Sequence, residues 1–164
     1  MRSGGLDCVP IWAETQLRFK IWNNRMAEII VYWIDTNIML RFLAGEPSAQ
    51  AAAAKKLFSR AAAGEVVLDV SPVIILETYH TLVSFYKVER KVAAEKLTLL
   101  LQQPGMKVRE EKQVFSTLRF LQTNNVGFAD AYLVAGAMTE NRPIASFDRD
   151  FNKFKGIIRY EPVA

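Results

Sequence analysis

Apolar runs and amphipathic stretches take turns along the chain. The first clear run, Ile29-Ile30-Val31-Tyr32-Trp33-Ile34, is β-branched and aromatic, shows no period-2 alternation, and ends at Asp35. It predicts a strand buried on both faces, as at the centre of a parallel sheet. Thr36 is placed to cap a short helix over Asn37 to Phe42, with Ile38, Leu40 and Phe42 apolar. Ala49 to Ala63 is an alanine-rich helix that Gly64 ends. Val66-Val67-Leu68 is a second strand, and Ser71-Pro72 caps and opens a helix running to about Tyr86.

The same alternation continues to the carboxyl end. Glu89 to Gln103 carries an apolar stripe of Val92, Leu97, Leu100 and Leu101, and Pro104-Gly105 stops it. Lys107-Val108 predicts a brief strand. Glu110 to Gln122 and Phe128 to Glu140 predict two helices separated by the turn Asn124-Asn125-Val126-Gly127. Pro143 to Phe147 predicts a strand ending at Asp148, and Ile157 to Tyr160 a last one. Strands alternating with helices imply an α/β fold with a parallel sheet and helices on both faces.

Residues 1–25 break the pattern. Ile11 to Asn24 mixes Trp12, Leu17, Phe19, Ile21 and Trp22 with charges, and a second methionine, Met26, precedes the first strand. The segment reads as an amino-terminal extension to a domain over 26–164, either a misplaced start or an amphipathic helix that docks. Composition adds little to this picture. With 164 residues, 51% hydrophobic and 23% charged, the chain suits one domain with a real core. Its net charge of +4 mildly favours an anionic partner. A single cysteine, Cys8, excludes an internal disulfide and a cysteine zinc cluster. No apolar run is long enough to span a membrane and no signal-peptide core is present, so a cytoplasmic protein is expected.

Four of the 17 acidic residues stand in apolar contexts. Asp35 and Asp148 end strands. Glu77 shares a helical face with Val73 and Ile74, and Asp130 shares one with Leu133, Val134, Ala137 and Met138, which predicts burial. Carboxylates in such surroundings cost several kcal/mol unless paired. No Lys or Arg lies within a helical turn of Glu77 or Asp130. If the four converge, a hard cation, Mg²⁺ or Mn²⁺, is the simplest compensation. Each acid alone also has a structural reading: Asp35 and Asp148 as caps, Asp130 at a helix amino terminus, Glu77 bonded to His80.

Ile34-Asp35-Thr36-Asn37-Ile38, Ser71 to Glu77, Phe128-Ala129-Asp130-Ala131 and Ser146 to Phe151 together resemble the motif set of PIN-domain ribonucleases. Their spacing is most similar to that of the toxin subunits of VapBC-type toxin–antitoxin pairs. The resemblance covers about Met26 to Tyr160. It implies a three-layer α/β/α domain with a central parallel sheet, and Asp35, Glu77, Asp130 and Asp148 arranged around Mg²⁺ or Mn²⁺ to hydrolyse RNA. Asn37 and Ser146 carry over as polar support, with Ser146 standing where many members have threonine. A cognate antitoxin and a homodimer are also implied. Asp150 is an additional acid nearby.

His80 is the only histidine, which excludes a two-histidine ribonuclease mechanism. Metal-assisted hydrolysis is the expectation, with Asp35 and Asp130 as direct ligands and Glu77 and Asp148 ligating through water or placing a second ion. Arg149, Lys153 and Lys155, just after Asp148, and Arg41, one turn beyond Asn37, are the candidate contacts to RNA phosphates. Two rival readings remain: a phosphatase-type α/β domain, disfavoured because Asn37 replaces a second acid after Asp35, and a degenerate PIN-like module that binds RNA or a protein without cutting.

Overall fold

The computed structural model describes residues 29–44 and 48–163. The chain divides into a short amino-terminal unit, Met1–Ile30, and a main unit, Val31–Ala164. The predicted extension over residues 1–25 lies outside the described residues.

The elements follow the order that the sequence pattern predicts: β1 (Ile30–Trp33), α1 (Thr36–Ala44), α2 (Ala49–Ala62), β2 (Val66–Val70), α3 (Pro72–Ser84), α4 (Arg90–Leu101), β3 (Met106–Val108), α5 (Glu111–Thr123), α6 (Phe128–Glu140), β4 (Ile144–Ala145) and β5 (Arg159–Tyr160), with a 3-10 turn at Arg149–Lys153. Local chemistry sets several boundaries. The Ser48 hydroxyl accepts the Ala51 N–H at the start of α2, and Ser71 caps α3 ahead of proline. Gly64 leaves α2 with φ +77°, a conformation that costs other residues a steric penalty.

The strands form two sheets, one ordered β1-β2-β3 and one of β4 and β5. β2 and β3 run parallel with Leu68 opposite Met106 and Asp69 opposite Lys107, and β4 and β5 are parallel as well. The Ile34 N–H donates to the Asp69 carbonyl at 3.1 Å, which sets the carboxyl end of β1 beside that of β2. Among the helices, α1 packs on α2 and α3, α3 on α4 and α6, and α4 and α6 both on α5. The main core joins Val66, Leu68 and Val70 of β2 to Ile75, Tyr79 and Leu82 of α3, Leu97 and Leu100 of α4, and Val114 and Leu118 of α5. Each such side chain removed from water contributes about 1.5–3 kcal/mol. A smaller cluster, Val134, Ile144 and Phe151, anchors β4 and the 3-10 turn to α6.

The first strand departs from expectation. The run at 29–34 was predicted to be buried on both faces, but Ile30, Val31, Tyr32 and Trp33 are all exposed and only Ile34 is buried. Among the described residues β2 is the central strand, with Val66, Leu68 and Val70 fully buried, and β1 lies at the edge of the three-stranded sheet. Apolar content alone does not separate a central strand from an edge strand.

Candidate active site

Asp35 ends β1 at the surface, and its Oδ1 accepts the Ile38 N–H at 2.9 Å. That is a helix cap, so Asp35, rather than Thr36, holds the start of α1. Thr36 is thereby released for another role. Its side chain is buried, and its hydroxyl donates to Glu77 Oε2 at 2.5 Å, linking α1 to α3 across the packed helices. Asp35 and Glu77 therefore flank one threonine. His80 does not bond Glu77; its Nδ1 faces the Ser84 hydroxyl at 3.3 Å. Asn37 is exposed in the first turn of α1, and Arg41 is half-buried one turn further on.

The second pair of acids gathers on a cavity of about 340 Å³, lined by Asn124, Gly127, Asp130, Asp148, Asp150 and Lys153 among others. Asp130 lies in the first turn of α6, where the helix dipole favours its charge. Its carboxylate folds back over Gly127, so that a Cβ there would come within 3.1 Å of Oδ2. Asp148 Oδ1 accepts the Asp150 N–H at 2.8 Å and so caps the 3-10 turn. The Ser146 hydroxyl accepts the Asp148 N–H at 3.0 Å. Lys153 is drawn to Asp150 at 2.5 Å, while Arg149 and Lys155 project into solvent.

The acids are not buried as their neighbours suggested. Asp35, Glu77, Asp130 and Asp148 are all exposed. α3 turns Ile75, Thr78, Tyr79 and Leu82 inward, leaving Val73 beside Glu77 in solvent. α6 buries Phe128, Ala131, Val134 and Ala135, while Leu133 and Met138 are exposed. Both carboxylates thus sit beside the buried stripe, where water or an ion reaches them.

Their donor chemistry suits a hard divalent cation: all are carboxylate oxygens, and among the described residues none of the four is in an ion pair. No group of three His, Cys, Asp or Glu side chains able to enclose a metal occurs among the described residues. The arrangement is two pairs, Asp35 with Glu77 through Thr36, and Asp130 with Asp148 on the cavity. Mg²⁺ is commonly held by one or two carboxylates with water and substrate phosphate completing its shell, so the donor chemistry of these acids suits it.

The sequence reading passed over one acid. Asp69, in the middle strand, is 1% exposed. Arg109 grips it as a fork, Nε to Oδ1 at 2.8 Å and Nη2 to Oδ2 at 3.2 Å, and the Lys107 ammonium stands 3.2 Å from Oδ2. The Arg109 guanidinium holds the carboxyl below its ordinary value and Lys107 adds to this, against burial, which pushes it up. The signal was present: Asp69 interrupts the apolar run Val66–Val70.

Exposed carboxylates at strand ends and helix starts, with no ion pair among the described residues, are the feature to set beside known proteins. The PIN domain family model matches residues 32–157, and the chain belongs to that family. The fold class is thus the three-layer α/β/α arrangement with a parallel sheet that the motifs implied. PIN domains are generally nucleases and generally depend on a divalent metal, which sets this chain among the hydrolases of nucleic acid. Among solved structures, VapBC2 from Rickettsia felis, bound to a DNA fragment from its promoter, is similar at 16% identity over 80% of this chain and 98% of that one, with a TM-score of 0.33. Comparison with curated proteins gives no match. Among the described residues no helix is long and apolar enough to cross a membrane.

Proposed function

We propose that the chain is a metal-dependent endoribonuclease, the toxin of a toxin–antitoxin pair acting in the cytoplasm. The observation that carries the nuclease reading is that Asp35, Glu77, Asp130 and Asp148 all reach solvent and, among the described residues, pair with no cation. Four carboxylates repel a phosphodiester unless a cation stands between them. In this reading Asp35 and Asp130 ligate Mg²⁺ or Mn²⁺ directly, and Glu77 and Asp148 ligate through water or place a second ion. The ion, when bound, supplies a water of lowered pKa and neutralises charge on the scissile phosphate.

The remaining work falls to the chain. The cap bond to Ile38 fixes Asp35, and the Thr36 hydroxyl fixes one oxygen of Glu77. Ser146 and the Asp150 N–H fix the turn that carries Asp148. Arg149, Lys153 and Lys155 are the phosphate contacts; Lys153 spends one of its three ammonium donors on Asp150 and keeps the others for a phosphate oxygen. Arg41 is a further candidate phosphate contact, and Asn37 gives polar support beside Asp35. The toxin assignment, the antitoxin partner and a homodimer rest on the motif resemblance.

The test is cleavage of a mixed RNA pool with Mg²⁺ or Mn²⁺, with EDTA, and by Asp35→Asn. Cleavage is expected to need both the ion and Asp35. Folded, antitoxin-free protein that cuts nothing under any ion would replace this reading with a module that binds without cutting. For the toxin assignment, expression of the wild-type chain alone should arrest growth, and Asp35→Asn should not.

A further inference from the structure

One face of the three-stranded sheet is at odds with an ordinary α/β interior. Strand alternation places Val66, Leu68 and Val70 on one face, all buried in the core, and Asp69 on the other. On that second face Val31 and Trp33 are exposed, Trp33 at 64%, and the Lys107 and Arg109 side chains are 61% and 45% exposed. Trp33 is not loose. The Arg109 guanidinium carbon stands 3.9 Å from the centre of its ring, and Arg109 is itself pinned by the fork to Asp69. A buried carboxylate thus orders an arginine, and the arginine orders an indole whose outer side remains open to solvent.

We propose that this face binds single-stranded RNA, with a base stacked on Trp33 and phosphates held by Arg109 and Lys107. Four features favour a nucleic acid. The indole is backed by a cation and presents a flat surface, which is how proteins stack unpaired bases without sequence preference. Arg109 spends Nε and Nη2 on Asp69, which leaves Nη1 to donate to a phosphate oxygen. Two cations stand against one carboxylate, so the cluster stays positive. Finally, Trp33 lies two residues before Asp35 on the same chain run, and the Ile34–Asp69 bond holds the cluster at the carboxyl end of β1. A strand cut at Asp35 would lay its neighbouring base on Trp33.

The inference deepens the ribonuclease reading and rests on it for the choice of RNA. Its test runs without metal, so the two can fail separately. Binding of a fluorescein-labelled, unstructured RNA oligonucleotide is measured in EDTA at several salt concentrations. The proteins are wild type, Trp33→Leu, Trp33→Tyr and Lys107→Gln, each with a thermal melt and light scattering. Trp33→Leu is expected to bind roughly 5- to 100-fold more weakly, and Trp33→Tyr to keep most of the affinity. Lys107→Gln should flatten the dependence of log affinity on log salt by about 0.7. Trp33 is largely exposed, so its variants should melt close to wild type; should Trp33→Leu fail to fold, Trp33→Tyr and Lys107→Gln decide.

Absence of wild-type binding at low salt overturns the proposal. So does affinity indifferent to both Trp33→Leu and Lys107→Gln. If Trp33→Leu instead leaves RNA binding intact and dissociates a dimer, the face is a protein interface. Cleavage that depends on Asp35 but not on Trp33, with unchanged binding, removes the platform and keeps the nuclease; binding that depends on Trp33 without any cleavage does the reverse.

Discussion

Asp35 and Asp69 sit near the carboxyl ends of adjacent strands, and the chain treats them in opposite ways. Asp69 is enclosed, with Arg109 forked onto it and Lys107 beside it. Asp35 is exposed, and what holds it is a backbone N–H. A protein that compensates a carboxylate with its own cations has used that charge for its structure. One that orients a carboxylate by hydrogen bonds, and leaves the charge unmet, keeps it available to an ion from solution. Glu77, oriented by the Thr36 hydroxyl, and Asp148, oriented through its turn, follow the Asp35 pattern.

The largest predicted effect tests the unmet side of this comparison. Asp35→Asn or Asp130→Asn should lower metal-dependent RNA cleavage at least about 100-fold, because an ion at such a site supplies several kcal/mol of charge stabilisation. Asparagine remains a good cap, so the thermal midpoint of Asp35→Asn should stay near that of wild type. A steady-state cleavage assay and a melt on the same preparation check both parts. Full activity in both variants would end the comparison.

Asp69→Asn should do the opposite and act on stability. Hydrogen bonds to charged groups contribute about 1.5–3 kcal/mol. The orphaned Arg109 and Lys107 reach water, so the loss should be near the lower end, about 2 kcal/mol. In a domain of this size that lowers the melting midpoint by roughly 4–8 °C. The pH dependence has a definite sign. The folded-state pKa of Asp69 is depressed below its ordinary 3.8, so its stabilisation is fully present above about that pH and is lost as pH falls through the folded-state value. Melting wild type and Asp69→Asn from neutral pH downward should show their difference persist to about pH 4 and shrink below it.

The comparison also explains what the sequence made legible. Helices announced themselves by periodicity and by punctuation such as Ser71-Pro72 and Gly64, so element order was readable. The four acids were readable because each interrupts or ends an apolar run. Their exposure was not. α6 carries apolar residues on nearly every side, so nothing local says that Ala131 and Val134 turn inward while Leu133 and Met138 do not. The placing of β1 at an edge depends on which strands pair, a non-local outcome that its own six apolar residues do not encode. Asp69 escaped because its partners, Lys107 and Arg109, lie about forty positions away and become neighbours only through the register of β2 and β3.

The smallest effect concerns the hydroxyl that joins the first pair of acids. Thr36→Val keeps the shape of a buried side chain and removes its bond to Glu77. Because Glu77 is exposed, water replaces the lost donor on the carboxylate, and the stability cost should be no more than about 1 kcal/mol. The consequence for chemistry should be larger than for folding. Glu77 would gain rotamer freedom, and a ligand held loosely binds its ion less well; losing a supporting hydrogen bond of this kind typically costs about 10- to 100-fold in metal affinity or activity. Cleavage titrated against Mg²⁺ should therefore shift to higher ion concentration in Thr36→Val, with activity recovered at saturation. A curve that superimposes on wild type would mean that Thr36 ties α1 to α3 and nothing more. A loss that saturating Mg²⁺ does not restore would move Glu77 from holding the ion to acting on the substrate.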